Sequence, residues 1–419
     1  MPRSTLVMFA ASLGFFFVTA TTFTSLGYEL YTMAPQLGWS QAAAGFSFSL
    51  LGLACGLGSP LVPVLMKTIG SRLTMVAGSL VLSAGFFIAA SVHSLALFYV
   101  ATTLMGVGFS LVAPAPAVDL LANWYGTKSD RMIGFYFMFG AAGGIAGPQI
   151  VNAIFTATGD WRLNWSIMGV GSLLLALVCL LCVRDRRVED ETAAASDAPA
   201  HRPSAWTVRM ALRSPAFLLI ATIITVVQMA VTSLHSLLVT HIAHLDGSGS
   251  RGALAMSLIA LAGAGAKGVT GSICEKVDPK AILVVGLGVQ TCAMLALWAT
   301  GSDLVATGAA MVFGLGWGLA WLSAHILILR YFGPRIAGDM VAMATTATTV
   351  AVLGPVGAGR VADVTGSYAP ALLVFAILLG ITMIAALLFL RAPKRVNADA
   401  PADGESLGEA LSSTMIAAE

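Results

Sequence analysis

Apolar stretches and short polar breaks alternate along the whole chain. The apolar runs fall near 5–27, 42–66, 72–92, 95–121, 131–157 and 161–183, and again near 215–242, 252–275, 280–299, 303–329, 337–361 and 368–391. About twenty mainly apolar residues in a helix cross a bilayer, and a helix in lipid satisfies its backbone polar groups internally. The pattern predicts an all-α membrane protein with twelve transmembrane helices, as six, a polar interval and six. It divides the chain into an N-terminal six-helix bundle (1–183), a linker (184–214), a C-terminal six-helix bundle (215–391) and a tail (392–419). The linker opens on Arg184, Asp185, Arg186 and Arg187, continues through an Ala/Asp/Glu/Pro stretch and reaches Arg213 near its end. The acidic, small-residue tail shares its character, and both have the composition of segments that bury too little apolar surface to fold alone.

Composition agrees. Hydrophobic residues make up 58% of the 419 and charged residues 10%, against about 25% charged in a soluble domain. A water-soluble core could not hide that much apolar surface. The net charge of +2 gives no reason to expect a nucleic-acid partner. The location of the charges is more informative. If the helices alternate in direction, Arg3, Lys67, Arg72, Lys128, Arg131, the linker arginines, Lys276, Lys280, Arg330, Arg335, Arg391, Lys394 and Arg395 share the side of both chain ends, while the opposite loops hold Arg162 and Arg251. The positive-inside rule then places both termini in the cytoplasm, in an inner or plasma membrane. The apolar run after Arg3 is too long for a signal peptide and lacks a clear cleavage site, so it reads as the first span.

Several chemistries find no support. Cys55, Cys179, Cys182, Cys274 and Cys292 lie in or at the ends of apolar runs, without metal or disulfide spacing, and read as inert thiols. There is no phosphate-binding Gly-x-x-x-x-Gly-Lys-Ser/Thr, no His-Glu-x-x-His and no nucleophile elbow. ATP drive, a resident cofactor and an enzyme activity are therefore not expected.

The two halves echo each other. Met66-Lys67-Thr68-Ile69-Gly70-Ser71-Arg72 follows the second run, and Gly271-Ser272-Ile273-Cys274-Glu275-Lys276-Val277-Asp278-Pro279-Lys280 follows the eighth. These basic turns resemble the hallmark of the major facilitator superfamily, Gly-x-x-x-Asp-Arg-x-Gly-x-Arg. The second copy keeps Gly271, Glu275, Lys276 and Lys280; in the first, Pro63 stands for the glycine and Lys67 for the acid, with Arg72 retained. Within the superfamily, four segments resemble the monocarboxylate transporters and oxalate–formate antiporters: Ile69-Gly70-Ser71-Arg72 with the run to Gly78, Gly159-Asp160-Trp161-Arg162, Tyr331-Phe332-Gly333-Pro334-Arg335, and Gly354-Pro355-Val356-Gly357-Ala358-Gly359-Arg360-Val361-Ala362-Asp363 leading into Gly366-Ser367-Tyr368. The resemblance implies two pseudo-symmetric six-helix lobes rocking about a central cavity. Helices 1, 4, 7 and 10 would line it, with 5, 8 and 11 contributing. It also implies a carboxylate cargo moved with a proton or exchanged for another anion.

Ionisable residues inside spans are the first functional candidates. Lys267 stands among Gly263, Ala264, Gly265, Ala266 and Gly268. It matches the position at which monocarboxylate transporters carry the arginine that binds the substrate carboxylate, and an ammonium attracts a carboxylate as a point charge without arginine's fork. The alternative is a lysine snorkelling to the nearby helix end. The family's aspartate four residues earlier is Gly263 here, and helix 1 lacks the lysine that some members use there. Asp119, after Pro114 and Pro116, is the candidate to take over charge or proton coupling; otherwise it braces the helix end. His235 is a candidate anion or proton ligand. Trp317, Trp321 and His325 share one helical face, with Trp321 and His325 counted as cavity candidates, and Tyr28 is a further one. Arg72, Glu275, Lys276, Arg360 and Asp363 read as gating or structural residues of the family motifs.

The reading is a monomeric secondary transporter of small organic anions that works by alternating access, with the lipid bilayer and a small carboxylate as partners and the proton as a candidate co-substrate. Its first rival is an efflux transporter for neutral or cationic amphiphiles on the same fold; a membrane receptor without transport is a more distant one.

Overall fold

The computed structural model describes residues 3–185, 206–246 and 249–393. Most of the predicted linker and nearly all of the predicted tail lie outside these residues. Within them the chain is helical, with no strand among the described residues and twelve helical segments long and apolar enough to cross a membrane. Both described chain ends therefore lie on one face, called here the terminal face.

The helices are α1 (Arg3–Thr21), α2 (Leu26–Leu37), α3 (Gln41–Gly58), α4 (Leu61–Ala90), α5 (Leu95–Val112), α6 (Ala115–Tyr125), α7 (Ser129–Thr158) and α8 (Trp161–Cys182) in the first half. The second half holds α9 (Val208–Leu212), α10 (Pro215–Asp246), α11 (Gly249–Lys276), α12 (Pro279–Ala299), α13 (Asp303–Phe332), α14 (Pro334–Ala347), α15 (Leu353–Thr365) and α16 (Ala369–Phe389). The short α9 forms within the stretch read as linker, where Thr207 caps it by accepting from the Met210 amide at 3.4 Å.

Several spans are less regular than the apolar runs suggest, each for a local reason. The first is broken between α1 and α2, where the hydroxyls of Thr21, Thr22, Thr24 and Ser25 bond back to the carbonyls of Phe17, Val18, Thr19 and Ala20. Such side chains offer the backbone an alternative to the helical ladder. Pro114 separates α5 from α6. Ser59 and Pro60 separate α3 from α4, and α4 kinks at Gly70 (φ 84°, ψ 163°), where glycine alone is comfortable. Before Leu353, the Thr- and Val-rich stretch Thr348–Val352 tightens into a 3₁₀ turn between α14 and α15.

The two halves pack alike. In the first, α4 lies on α5 and α8, α3 on α5, and α1 on α7; in the second, α12 lies on α13 and α16, α11 on α13, and α10 on α15. The lobes meet through α3 against α15 and α7 against α11, two contacts that exchange under the pseudo-twofold. Outward-facing Leu174, Val269, Ile377 and Phe389 are each more than half exposed. Water would oppose such a surface; lipid hydrocarbon accepts it.

The contacts between lobes gather on the face opposite the chain ends. Asp363 accepts from the backbone amides of Gln41 at 2.7 Å and Ala42 at 2.9 Å, and the Tyr368 hydroxyl donates to Gln41 Oε1 at 2.6 Å. Ser250 donates to Asn152 at 2.9 Å, and Gln149 donates to Ser257 at 3.1 Å.

Candidate functional site

Between the lobes lies a cavity of about 500 Å³. The first lobe contributes Phe15, Thr19 and Thr24 from the broken span and a wall of α7 around Gly140 and Gly144; the second contributes His235, Lys267 and Trp317. Its lining thus comes from spans 1, 5, 7, 8 and 10. The glycines of α7 let it approach α1 closely: a side chain at Gly140 would meet the Phe15 ring at 2.3 Å.

Lys267 is the cation of this cavity. Its Nζ lies 3.6 Å from the centre of the Trp317 ring, a cation–π contact worth about 2 kcal/mol when desolvated. Among the described residues no carboxylate is shown in an ion pair with it; Arg251 Nε pairs with Asp303 Oδ2 at 3.1 Å at the far end of the same helix. Gly263 makes this arrangement possible. A Cβ at that position would sit 2.8 Å from Trp317 Cε3, so the missing side chain is what lets the indole lie beneath the ammonium.

His235 stands edge-on to the same indole, ring centres 6.4 Å apart, with Nδ1 bonded to the Val231 carbonyl at 2.8 Å. That bond leaves Nε2 as its remaining polar atom. His325 lies within electrostatic reach of Lys267 and packs on Trp321, ring centres 4.8 Å apart, its Nδ1 bonded to the Trp321 carbonyl at 2.7 Å. Trp321 and His325 extend the Trp317 face toward the terminal face but are not among the residues lining the cavity.

The other sequence candidates are placed elsewhere. Tyr28 is buried, donates to Asn152 Oδ1 at 2.8 Å and is not among the residues lining the cavity. Asp119 accepts from Ser71 at 2.9 Å in a separate polar pocket with Lys67, Asn123 and Asp185. There Asp185 accepts from the Arg72 amide at 3.0 Å, while the Arg72 guanidinium donates to the Leu180 carbonyl. Glu275 and Lys276 are exposed at the end of α11, Arg360 is exposed on α15, and Asp363 holds the start of α3. The geometry thus brings Lys267 and His235 together, adds Trp321 and His325 nearby, and keeps Tyr28 and Asp119 apart from them.

Phe15, Phe137 and Met138 are lining residues that sequence reasoning did not single out, and Trp317 entered it only as part of the face shared with Trp321 and His325. The shared 317/321/325 face and the glycine in place of aspartate at 263 were the available signals. Reading the two together would have placed the indole where a counter-ion is missing.

Twelve spans in two matched lobes around a central cavity are the architecture of a multi-pass membrane protein built from two related halves. Residues 10–355 match the Major Facilitator Superfamily, and the chain belongs to it. It is 30% identical over 149 residues to Uncharacterized transporter ESBP6 of Saccharomyces cerevisiae (34% of this chain, 22% of that one). It is 28% identical over 174 residues to Uncharacterized transporter YycB of Bacillus subtilis (40% of this chain, 42% of that one). The matches thus span less than half the length of either relative. The nucleoside transporter NupG superposes with a TM-score of 0.74 at 12% identity, covering 92% of this chain and 99% of that one, a likeness of fold.

Proposed function

We propose that this chain carries small organic monoanions with an apolar body, resembling the monocarboxylate transporters, with both termini in the cytoplasm as the placement of Lys and Arg implies. The observation that carries the reading is Lys267: an ammonium in the cavity that faces an aromatic ring instead of a carboxylate. A π face attracts a cation without neutralising it, so the counter-charge is left for the cargo. Phe15 and Trp317 suit an apolar body. A cavity of about 500 Å³ holds a small ligand. Fold alone does not choose a substrate, so the assignment stands on the charge and size of the cavity.

The test is uptake into proteoliposomes with a panel of labelled carboxylates. Native protein is expected to accumulate at least one of them. Lys267→Ala is expected to lower uptake at least tenfold, and Lys267→Arg to retain part of it. Transport of neutral or cationic amphiphiles that survives Lys267→Ala would overturn the anion reading in favour of its rival.

A further inference from the structure

The lobes touch along two seams, α3 against α15 and α7 against α11. The cavity leans to the second: its lining takes residues from α7 and α11 and none from α3 or α15. In the half of this seam away from the chain ends, α7 and α11 are closed on each other. Gln149 donates to Ser257, Ser257 donates to the Ile145 carbonyl at 2.7 Å, and a Cβ on Gly144 would lie 3.3 Å from the Ala260 methyl. Toward the terminal face they diverge. Gly134 on α7 and Gly268 on α11 both line the cavity, and a Cβ on either would meet nothing within 4 Å.

The opening faces hydrocarbon. From Gly144 to Gly134 a helix rises about 15 Å, half the thickness of a bilayer core, and the charged residues Arg131, Glu275 and Lys276 lie beyond it at the helix ends. At 3.6 residues per turn, Met138 sits at the angle between the cavity-lining Gly134 and Ala141 and the outward-facing Phe135 and Ala142. It lines the cavity and is 65% exposed. On α11, Gly268 holds the same place, between lining Ala264 and outward Leu261 and Gly265. The slot is therefore edged by a flexible thioether on one side and by glycine on the other. The helix α2 packs on both α7 and α11, but at the closed end, where a Cβ on Gly249 would lie 2.5 Å from the Tyr31 ring. The remaining helices packed on α7 or α11 belong to the same lobe as the helix they touch.

Lys267 precedes Gly268, so the cation of the cavity stands beside the edge of the slot. A charged head on Lys267 can thus leave its chain passing between Met138 and Gly268 into lipid, where each added methylene stays in an apolar medium. A neutral or cationic amphiphile would place no counter-charge opposite the ammonium. We infer that the α7–α11 seam is a side opening to the leaflet on the terminal face, and that the cargo it admits is a single-chain anionic amphiphile, a carboxylate whose chain need not fit inside the cavity. The inference rests on the anion reading above and narrows its substrate class.

A chain-length series in lipid nanodiscs tests it. Titration calorimetry with octanoate, dodecanoate and hexadecanoate, each concentration expressed as mole fraction in the lipid, is expected to give affinities within threefold of one another. A cavity closed to the bilayer would instead lose at least tenfold at hexadecanoate. In a second measurement, hexadecanoate with a photoreactive diazirine on its terminal carbon is expected to label Phe135, Met138 or Leu261 at least fivefold more in native protein than in Lys267→Ala. If Lys267→Ala does not fold, the label displaced by excess octanoate is the specific fraction and decides. Octanoate binding with a tenfold loss at hexadecanoate would overturn the side opening and leave the anion reading standing, as would specific label confined to Phe15 and Thr19 inside the cavity. Absence of binding by all three acids would overturn both.

Discussion

Lys267, Trp317 and Gly263 form one unit at the scale of single residues. The ammonium needs a counter-charge or a π face, the indole needs room to lie flat, and the glycine supplies the room. A methyl group at 263 would come within 2.8 Å of Trp317 Cε3, closer than packed carbon atoms tolerate. Overpacking of this kind costs about 1–3 kcal/mol. Gly263→Ala is therefore expected to lower the thermal transition of the purified transporter and to weaken cargo binding by displacing the ring from Lys267. In Gly263→Ala/Trp317→Ala the collision is gone, so the two destabilisations are expected to be less than additive. A double-mutant cycle read by thermal unfolding measures this directly. Full additivity would mean that the two residues do not press on each other.

Helical spans are the elements that a hydropathy pattern reports well, because lipid imposes the same length and composition on each. All twelve were legible, as were the basic turns that end the second and eighth runs. The interruptions were not. The hydroxyl-rich segment Thr21–Ser25 is too short to interrupt the apolar run that contains it, and the bonds that break the helix there are visible only in the structure. The site was legible in part: Lys267 and His235 stand out as polar residues in apolar runs, whereas Trp317 belongs to the site only through its contact across helices. The turn at Gly70 shows the same limit. Its φ of 84° and ψ of 163° suit glycine, and a Cβ there would lie 2.3 Å from Asp185 Oδ2, a residue far along the chain. Strained backbone of this class costs about 1–3 kcal/mol for other residues. Gly70→Ala is expected to destabilise by that amount in denaturation experiments, while Gly56→Ala, with open space around it, stays within about 0.5 kcal/mol of native.

For the whole molecule, the closed face is held by groups that cross between lobes, and Asp363 is central to it. Its carboxylate receives the amides of Gln41 and Ala42 at the start of α3, where the helix dipole favours a negative charge and the amides lack partners within their own helix. Hydrogen bonds to a charged group are each worth about 1.5–3 kcal/mol, enough to move a balance between two lobe arrangements by tenfold or more. Asp363→Ala is expected to shift the population toward opening on this face, seen as longer spin-label distances between the starts of α3 and α16. Asp363→Asn keeps one acceptor without the charge and is expected to fall between. Tyr368 supplies the adjoining bond to Gln41. Burial first, and then the neighbouring Asp363 charge, push its phenol above the ordinary tyrosine range. A raised value means that the bond is fully present below the usual phenol pKa and is lost only as pH climbs through the higher value of the folded state. The Tyr368–Gln41 contact is thus expected to keep the same spin-label distances from pH 6 to pH 9. A shift in that window would show that another group titrates within the contact.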